Sequence, residues 1–418
     1  MRDSVTFIHT ADLHLDAPFQ GIGQASERVG KALAEATYQA FTHVVGTALA
    51  REVDFVVIAG DSYNSRDKNL RAQRRFIEQM ERLSDAGIAV FVAQGNHDPA
   101  NGWSAGLKLP ASVHVFASES VERFEVTREG EVIAAVYGRS FARASENTNL
   151  ALGYRREPGD AFAVGVLHAN VGGDPGYDSY APATLDELRA SRMDYWALGH
   201  IHKQEVLSRE PWVVYAGSPQ GLNPKEAGAH GCLIVEVSSS GAVSLEHVES
   251  APIAWARLEL DASDASDLDA VHHLVNDACA VLLAREGRNV IVRLTLTGRT
   301  EVHADLGRPN VLEDLLDELR ADLGHGEPWL WPDRLDDQTR AAVDIDAVRS
   351  GADFAAEVVR IADELAGDPA QVAALVTQIV SPVSAALPGE YRPGVSDAEA
   401  LESARDLVLD QILGGEVG

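Results

Sequence analysis

Apolar residues fall along this chain in short runs that end in polar clusters. Runs at 5–9, 54–59, 88–93, 163–168 and 195–198 have the length and composition of strands. Between the first three lie helical stretches at about 25–51 and 68–86, long enough to be crossover helices. A second set of strands, around 121–127, 131–137, 204–209, 212–216, 231–237 and 242–249, comes in hairpin-like pairs with turns such as "REGE" and "SSSGA". Alternating apolar runs and helical patterns predict an α/β layer architecture up to about residue 250. Two mixed sheets packed face to face, with helices outside, accommodate both sets.

After "SAPI" the pattern changes to a strand, a helix, a strand pair and a further helix ("ARLEL", 265–285, "NVIVRLTLTG", 310–323), which predicts a small α/β module ending near "WLWPD". The remainder reads as helical. Phe354, Val358, Ile361 and Leu365 form one apolar stripe and Leu401, Ala404, Val408 and Ile412 another, the second preceded by a capping box in Ser396 and Glu399. Pro369, Pro382, Pro388 and Pro393 punctuate the stretch between them. The expected division is therefore 1–250, 251–333 and 334–418.

A chain of 418 residues exceeds what one hydrophobic core usually serves. No apolar run approaches the ~20 residues that span a bilayer, and "MRDSVTFIHTADLHL" enters a strand without a signal-peptide pattern; a cytoplasmic protein with no membrane partner is expected. Cys232 and Cys279 lack metal-site spacing and read as two buried thiols in a reducing compartment. The net charge is −29, which repels a polyanion unless basic residues gather on one face or a partner supplies them. Composition alone thus argues against DNA binding. The excess is uneven, since residues 301–418 hold 25 Asp and Glu against 8 Arg and no Lys.

Five polar clusters change the picture, each at the C-terminal end of a predicted strand: "HTADLHL", "IAGDSYN", "GNHD", "GVLHAN" and "ALGHIH". Together they offer Asp12, His14, Asp61, Asn96, His97, Asp98, His168, His200 and His202. In open α/β sheets the C-terminal strand ends are where sites form. In an extended chain residues two apart point the same way, so Asp12 and His14 can converge, as can His200 and His202. Gly60, Gly95 and Gly199 sit where a chain turns sharply or a backbone comes close to something. Any one of these clusters alone is better explained as a turn, a helix cap or a hydrogen-bonded structural histidine. Five in this order are not. Carboxylate, amide and imidazole ligands without thiolate suit manganese, iron or zinc. Seven are too many for one ion and about right for two sharing a bridging carboxylate, the arrangement used in phosphoryl displacement.

The series "DLH", "GD", "GNHD", "H" and "GHIH", spanning residues 12 to 202, resembles the calcineurin-like metallophosphoesterase superfamily. "YAGSPQGLNPKEAGAHGCLIVEV" resembles the corresponding segment of its DNA double-strand-break repair nucleases, the SbcD-like and YhaO-like branch. The resemblance implies a four-layer αββα sandwich of two mixed sheets, with a small α/β capping domain and a helical C-terminal tail. It also implies two divalent metal ions, manganese in this family. The first would be held by Asp12, His14, Asp61 and His202, the second by Asp61, Asn96, His168 and His200, with Asp61 as the bridge. His97 matches the catalytic histidine and Asp98 the carboxylate beside it, which either supports His97 or only caps its loop. Asn64 stands where the group has His or Asp; since Asn cannot transfer a proton, it is expected to keep only a phosphate-positioning role.

The implied function is a two-metal phosphodiesterase acting on DNA ends, working with an SbcC-like coiled-coil ATPase docked on the helical tail; pairing of two copies as a homodimer is left open. Arg66, Lys68, Arg71, Arg74 and Arg75, with Arg139, Arg143, Arg155 and Arg156, are the cations available to guide a strand, if they are not simply a solvated face. Among them Arg66 and Arg139, with Asn64, are the candidate substrate contacts. Two other readings remain: a cyclic-nucleotide or other small phosphodiester hydrolase with the same metal core, and a metal-binding scaffold that only positions a partner.

Overall fold

The structure, a computed structural model, describes residues 4–23, 25–64, 69–102, 106–173, 176–386 and 396–413. Two six-stranded mixed sheets dominate its first part. In the first, β1 (Val5–Thr10), β2 (Phe55–Ala59), β3 (Ala89–Ala93) and β4 (Val113–Val115) are parallel, and β11 (Gly231–Val237) and β12 (Val243–Glu249) extend it antiparallel beyond β1. In the second, β6 (Glu131–Gly138), β7 (Ala163–His168), β8 (Tyr195–Gly199) and β10 (Trp212–Tyr215) are parallel, with β5 (Glu122–Arg128) and β9 (Glu205–Arg209) antiparallel at the edges.

Strand periodicity explains how the layers stack. Successive side chains point to opposite faces. Phe7, Val57 and Phe91 enter the core between the sheets, while their neighbours Ile8, Ile58 and Val92 face the helices. Those helices are the crossovers that parallel strands require: α1 (Glu27–Ala50) and α2 (Leu70–Asp85), begun by Ser26 and Asn69, whose side chains accept from Val29 and Ala72 N–H. Phe76, Met80 and Leu83 give α2 its buried stripe. Across the second sheet, Val164 and Val166 face inward, and Leu167, Trp196 and Leu198 pack outward against Leu150, Tyr154 and Leu188. The outer layer there is thin, made of α3 (Leu185–Ala190), one 3₁₀ turn at Leu150–Gly153 and loops. This is the expected αββα sandwich.

Farther along, β13 (Ile253–Asp261), β14 (Asn289–Thr297) and β16 (Leu330–Asp337) form a three-stranded sheet, with α4 (Leu268–Glu286), α5 (His303–Leu306) and α6 (Val311–Leu323) between them. A two-residue pairing joins β15 (Arg299–Thr300) to β17 (Arg340–Ala341). The chain divides into two compact units, Met1–Arg257 with Val281–Arg293 and Asp322–Asp333, and Leu258–Ala280 with Leu294–Ala321 and Arg334–Gly418. Within the first unit, Ile253, Trp255, Ile291, Trp329 and Trp331 pack on Val29 and Ala36 of α1.

The second unit ends in α7 (Ile345–Arg349), α8 (Phe354–Ala366), α9 (Pro369–Ala386) and α10 (Asp397–Leu413). The capping box forms: Ser396 Oγ donates to Glu399, whose N–H it receives in turn. The two stripes are split: Val358 and Ile412 pack half-buried against Ala355, Val359 and Leu409, and other members face outward. Phe354 and Ile361 are exposed, whereas Ala355, Ala356, Val359 and Ala362 are buried; on α10 the buried residue is Leu409, while Ala404 and Val408 are exposed. Alanines allow close approach here, so the buried face includes positions outside a pattern drawn from large apolar residues. Pro369 opens α9, but the helix continues past position 382; Pro388 and Pro393 lie outside the described residues. Cys232 and Cys279 are buried free thiols, pushed up to about 12 by desolvation. Among the described residues no helix is long and apolar enough to cross a membrane.

Phe7 stacks on Phe55 at 4.7 Å between centroids and meets Tyr195 edge-on at 5.4 Å, tying the two sheets together. Phe7→Ala is therefore expected to cost about 3–5 kcal/mol, read as a lower denaturation midpoint with an unchanged slope.

Candidate metal centre

The loops after β1 and β2 run side by side. Asp12 N–H donates to Gly60 O, His14 N–H to Asp61 O and Leu15 N–H to Ser62 O, each at 3.0–3.1 Å. This pairing turns the chain out of extended geometry: φ is +52° at Asp12, +42° at His14 and +54° at Asp61; after β8, His200 is left-handed as well, at +102°. Convergence of Asp12 with His14 thus comes from left-handed turns, not from strand alternation. A left-handed residue other than glycine costs about 1–3 kcal/mol, so the paired loops must hold these side chains in place. Glycines supply the room. A Cβ on Gly60 would collide with the His168 ring, one on Gly95 with the Asp61 carboxylate, and one on Gly199 with the Ala59 carbonyl.

Ligand atoms of Asp12, His14 and His202, of His14, Asp61 and His97, and of Asp12, Asp61 and His168 lie within 4.8 Å of one another in each group. Asp61 Oδ2 is 3.8 Å from His14 Nε2 and 3.4 Å from His168 Nε2. Asn96 Oδ1 is 3.0 Å from His168 Nε2, and the His168 and His200 rings are 5.2 Å apart. His97 meets His14 edge-on at 4.8 Å and donates its backbone N–H to Asp61.

Hydrogen bonds on the far side of each ring fix the imidazole tautomers. His168 Nδ1 is 3.0 Å from Ala59 O, His200 Nε2 is 2.8 Å from Asp178 O, and His202 Nδ1 is 2.8 Å from Glu226 Oε1. Carbonyl and carboxylate oxygens only accept, so each bonded nitrogen carries the hydrogen and the other offers its lone pair, the usual support of a metal-binding histidine. Burial lowers His14 to about 3 and His200 to about 4, keeping both neutral. Burial opposes charge on Asp61 and His202 too. The imidazoles of His168, His14 and His97 nevertheless hold Asp61 down at about 2, and the Glu226 bond with the Asp12 carboxylate raises His202 to about 9. A cation bound there would therefore displace the proton from the inward nitrogen of His202 before using that lone pair. Desolvation pushes Asp12 up to about 6. Two buried carboxylates beside inward lone pairs call for positive charge, and divalent cations fit this donor set.

Asp98 is buried, and its oxygens accept from three amides, Gly95 at 2.7 Å, Ser62 at 2.9 Å and Asp61 at 3.2 Å. These bonds tie the "GD" and "GNHD" loops together. Asn64 is half-buried, and its Oδ1 has no hydrogen-bond partner among the described residues. Arg139 directs Nε to Ser118 O at 2.9 Å and does not join the cluster, and Arg66 lies outside the described residues. Several expected strand guides are already paired: Arg71 and Arg75 with Glu35, and Arg156 with Asp194.

A cleft of about 390 Å³ opens over the centre, lined by Asp61, Asn96, His97, His200 and His202 and by Tyr177, Asp178, Tyr180 and Glu226. Sequence reasoning missed the last four. Tyr177 accepts the His202 N–H at 3.2 Å, and both tyrosines pack on the His200 ring. Glu226 is itself held by the Leu222 amide and Asn223 Nδ2. The signal available was a carboxylate inside the quoted "GSPQGLNPKEAG" segment, but nothing local links it to His202.

Residues 5–204 match the family described as calcineurin-like phosphoesterase, and residues 255–340 match the middle domain of the metallophosphoesterase YhaO. Over 340 residues the chain is 37% identical to the metallophosphoesterase YhaO of Bacillus subtilis, covering 81% of this chain and 83% of that one. It is 26% identical over 290 residues to the DNA double-strand break repair protein Mre11 of Thermoplasma acidophilum, with 66% and 73% covered. Against a component of the nuclease SbcCD of Bacillus subtilis it is 27% identical over 255 residues, with 53% and 63% covered.

Removing Glu226 should loosen the cation that His202 would hold. Glu226→Ala is expected to weaken manganese binding by ~10–100-fold in calorimetric titration, with Glu226→Gln, which retains an accepting oxygen, losing less. Equal affinity in all three proteins would show that His202 is oriented by something else.

Proposed function

Because this chain belongs to the calcineurin-like metallophosphoesterases, and is therefore a metal-dependent phosphodiester hydrolase by family, we propose that its substrate is DNA at strand ends and that it serves as the nuclease component of an SbcC-like ATPase complex. The observation that carries this reading is the cluster where the two sheets meet, with His97 beside Asp61 and His14 at the floor of an open cleft. Relatives named for double-strand-break repair and for the SbcCD nuclease support it.

In this reading Asp12, His14, Asp61 and His202 hold one cation and Asp61, Asn96, His168 and His200 the other, with manganese as the metal. Asp61 is suited to bridging because it approaches His14 and His168 from one carboxylate. Such a pair, when bound, supplies an activated water and neutralises the non-bridging phosphate oxygens. The chain's own groups do the rest. His97 stands at the cleft, where an imidazolium can protonate the leaving oxygen. Asp98 keeps the "GD" and "GNHD" loops in register through its three amide bonds, so it positions His97 without touching it. Asn64, whose Oδ1 has no partner among the described residues, keeps only a phosphate-positioning role in this reading, since an amide cannot relay a proton. The segments 251–333 and 334–418 serve in this reading as capping domain and ATPase seat; Phe354, Ile361, Leu407 and Val408 give the latter an exposed apolar surface.

Manganese-dependent digestion of linear duplex and single-stranded DNA, run beside a small phosphodiester, tests the proposal. The intact protein should cut DNA, His97→Ala should bind metal normally and lose turnover by ~10²–10⁴-fold, and Asn96→Ala should lose metal first. Turnover of the small ester with DNA left intact would overturn the DNA reading. Normal cutting by His97→Ala would reduce "GNHD" to a metal loop.

A further inference from the structure

The cleft does not end at His202. Tyr177, His202 and Glu226 also line a second hollow of about 430 Å³, which continues between residues 201–205 and 225–230 and reaches His247. Lys203 and Lys225 face this hollow from its two sides. The chain has only five lysines, so finding two on one groove beside the metal centre sets that groove apart. Neither forms an ion pair with a described residue. The acids nearby are Glu205, exposed on β9, and Glu226, whose oxygens are committed to His202, Leu222 and Asn223. By contrast, Arg71, Arg75 and Arg156 could contact a phosphate only by giving up a carboxylate.

We propose that this hollow seats the phosphates next to the scissile one on a single polynucleotide strand, with Lys203 and Lys225 as their counter-charges. The inference rests on the nuclease reading above. The strand passes Tyr177, which lines both cleft and hollow. Lysine contacts to phosphate fix the strand's register without reading its sequence, which is what a nuclease working inward from an end requires. A net charge of −29 makes such a local pair more important, because the rest of the surface repels the substrate.

Steady-state digestion of a single-stranded oligonucleotide with manganese, across a salt series, tests the subsite. The double variant Lys203→Ala/Lys225→Ala should raise KM on the order of tenfold while sparing kcat, and should flatten the log–log salt dependence by about 1.4, at ~0.7 per lost phosphate contact. Turnover of a small phosphodiester should not change, because it never reaches the hollow. Lys203→Arg/Lys225→Arg should restore KM. If the wild-type protein cuts the oligonucleotide and the alanine variant does so with the same KM and salt slope, the subsite is overturned and the nuclease reading stands. An equal loss on the small ester would also overturn it, as a sign of damage to the metal centre. Should the wild-type protein turn over the ester and no polynucleotide, the nuclease reading fails and takes the subsite with it.

Discussion

Two buried carboxylates, Asp12 and Asp61, sit where the two sheets come together, and the rest of the site is arranged around them. Both are almost fully removed from water, and an ion taken out of water costs several kcal/mol even after relaxation. The surrounding structure answers that cost in two ways. Backbone amides reach the carboxylates directly: His200 N–H donates to both oxygens of Asp12, and His97 N–H to Asp61. Imidazoles from four separate loops then supply lone pairs facing the same point, an arrangement that makes sense only if positive charge is to be held there. Left-handed backbone at Asp12, His14 and Asp61 is a further cost, and it is sustained because three hydrogen bonds tie the β1 loop to the β2 loop there.

The same constraint explains the glycines. Gly60, Gly95 and Gly199 each lie where a methyl group would strike His168, Asp61 or the Ala59 carbonyl. Only Gly60 has a left-handed φ, at +97°. The other two are present because ligand and backbone must pass within contact distance, so their role is the space they leave and not the freedom they give. Sheet packing and site chemistry are therefore one problem: moving β8 away from β2 to relieve Gly199 would also separate Asp12 from the His200 amide.

Much of this was legible before any coordinates. A strand that must deliver a ligand at its end shows an apolar run followed by a polar residue, and all five runs that did so, from "TFIHTAD" to "WALGHIH", are strands delivering a member of the cluster. What stayed hidden has physical reasons. Asp12 and His14 read as extended because the sequence carries no glycine there, and the turn is imposed by pairing with the next loop. Asp98 carries the same letter whether it supports a catalytic histidine or accepts three amides. Glu226 and Asp178 act on histidines far from them in sequence, and only the folded chain shows that they complete the imidazole bonds. In the tail, the apolar stripes could be either a docking face or a core, and only the folded chain shows Ala355, Ala356 and Val359 buried with Val358 beside them.

Charge distribution gives the last step. An acidic chain can act on a polyanion if its few cations are kept where the polymer must pass and are not spent on the protein's own carboxylates. Several arginines of this chain are spent in that way, since the run after the "GD" loop ties α2 to Glu35 of α1 and Arg156 binds Asp194. Surface pairs of this kind contribute little to stability, but they remove their cations from the field that a substrate meets.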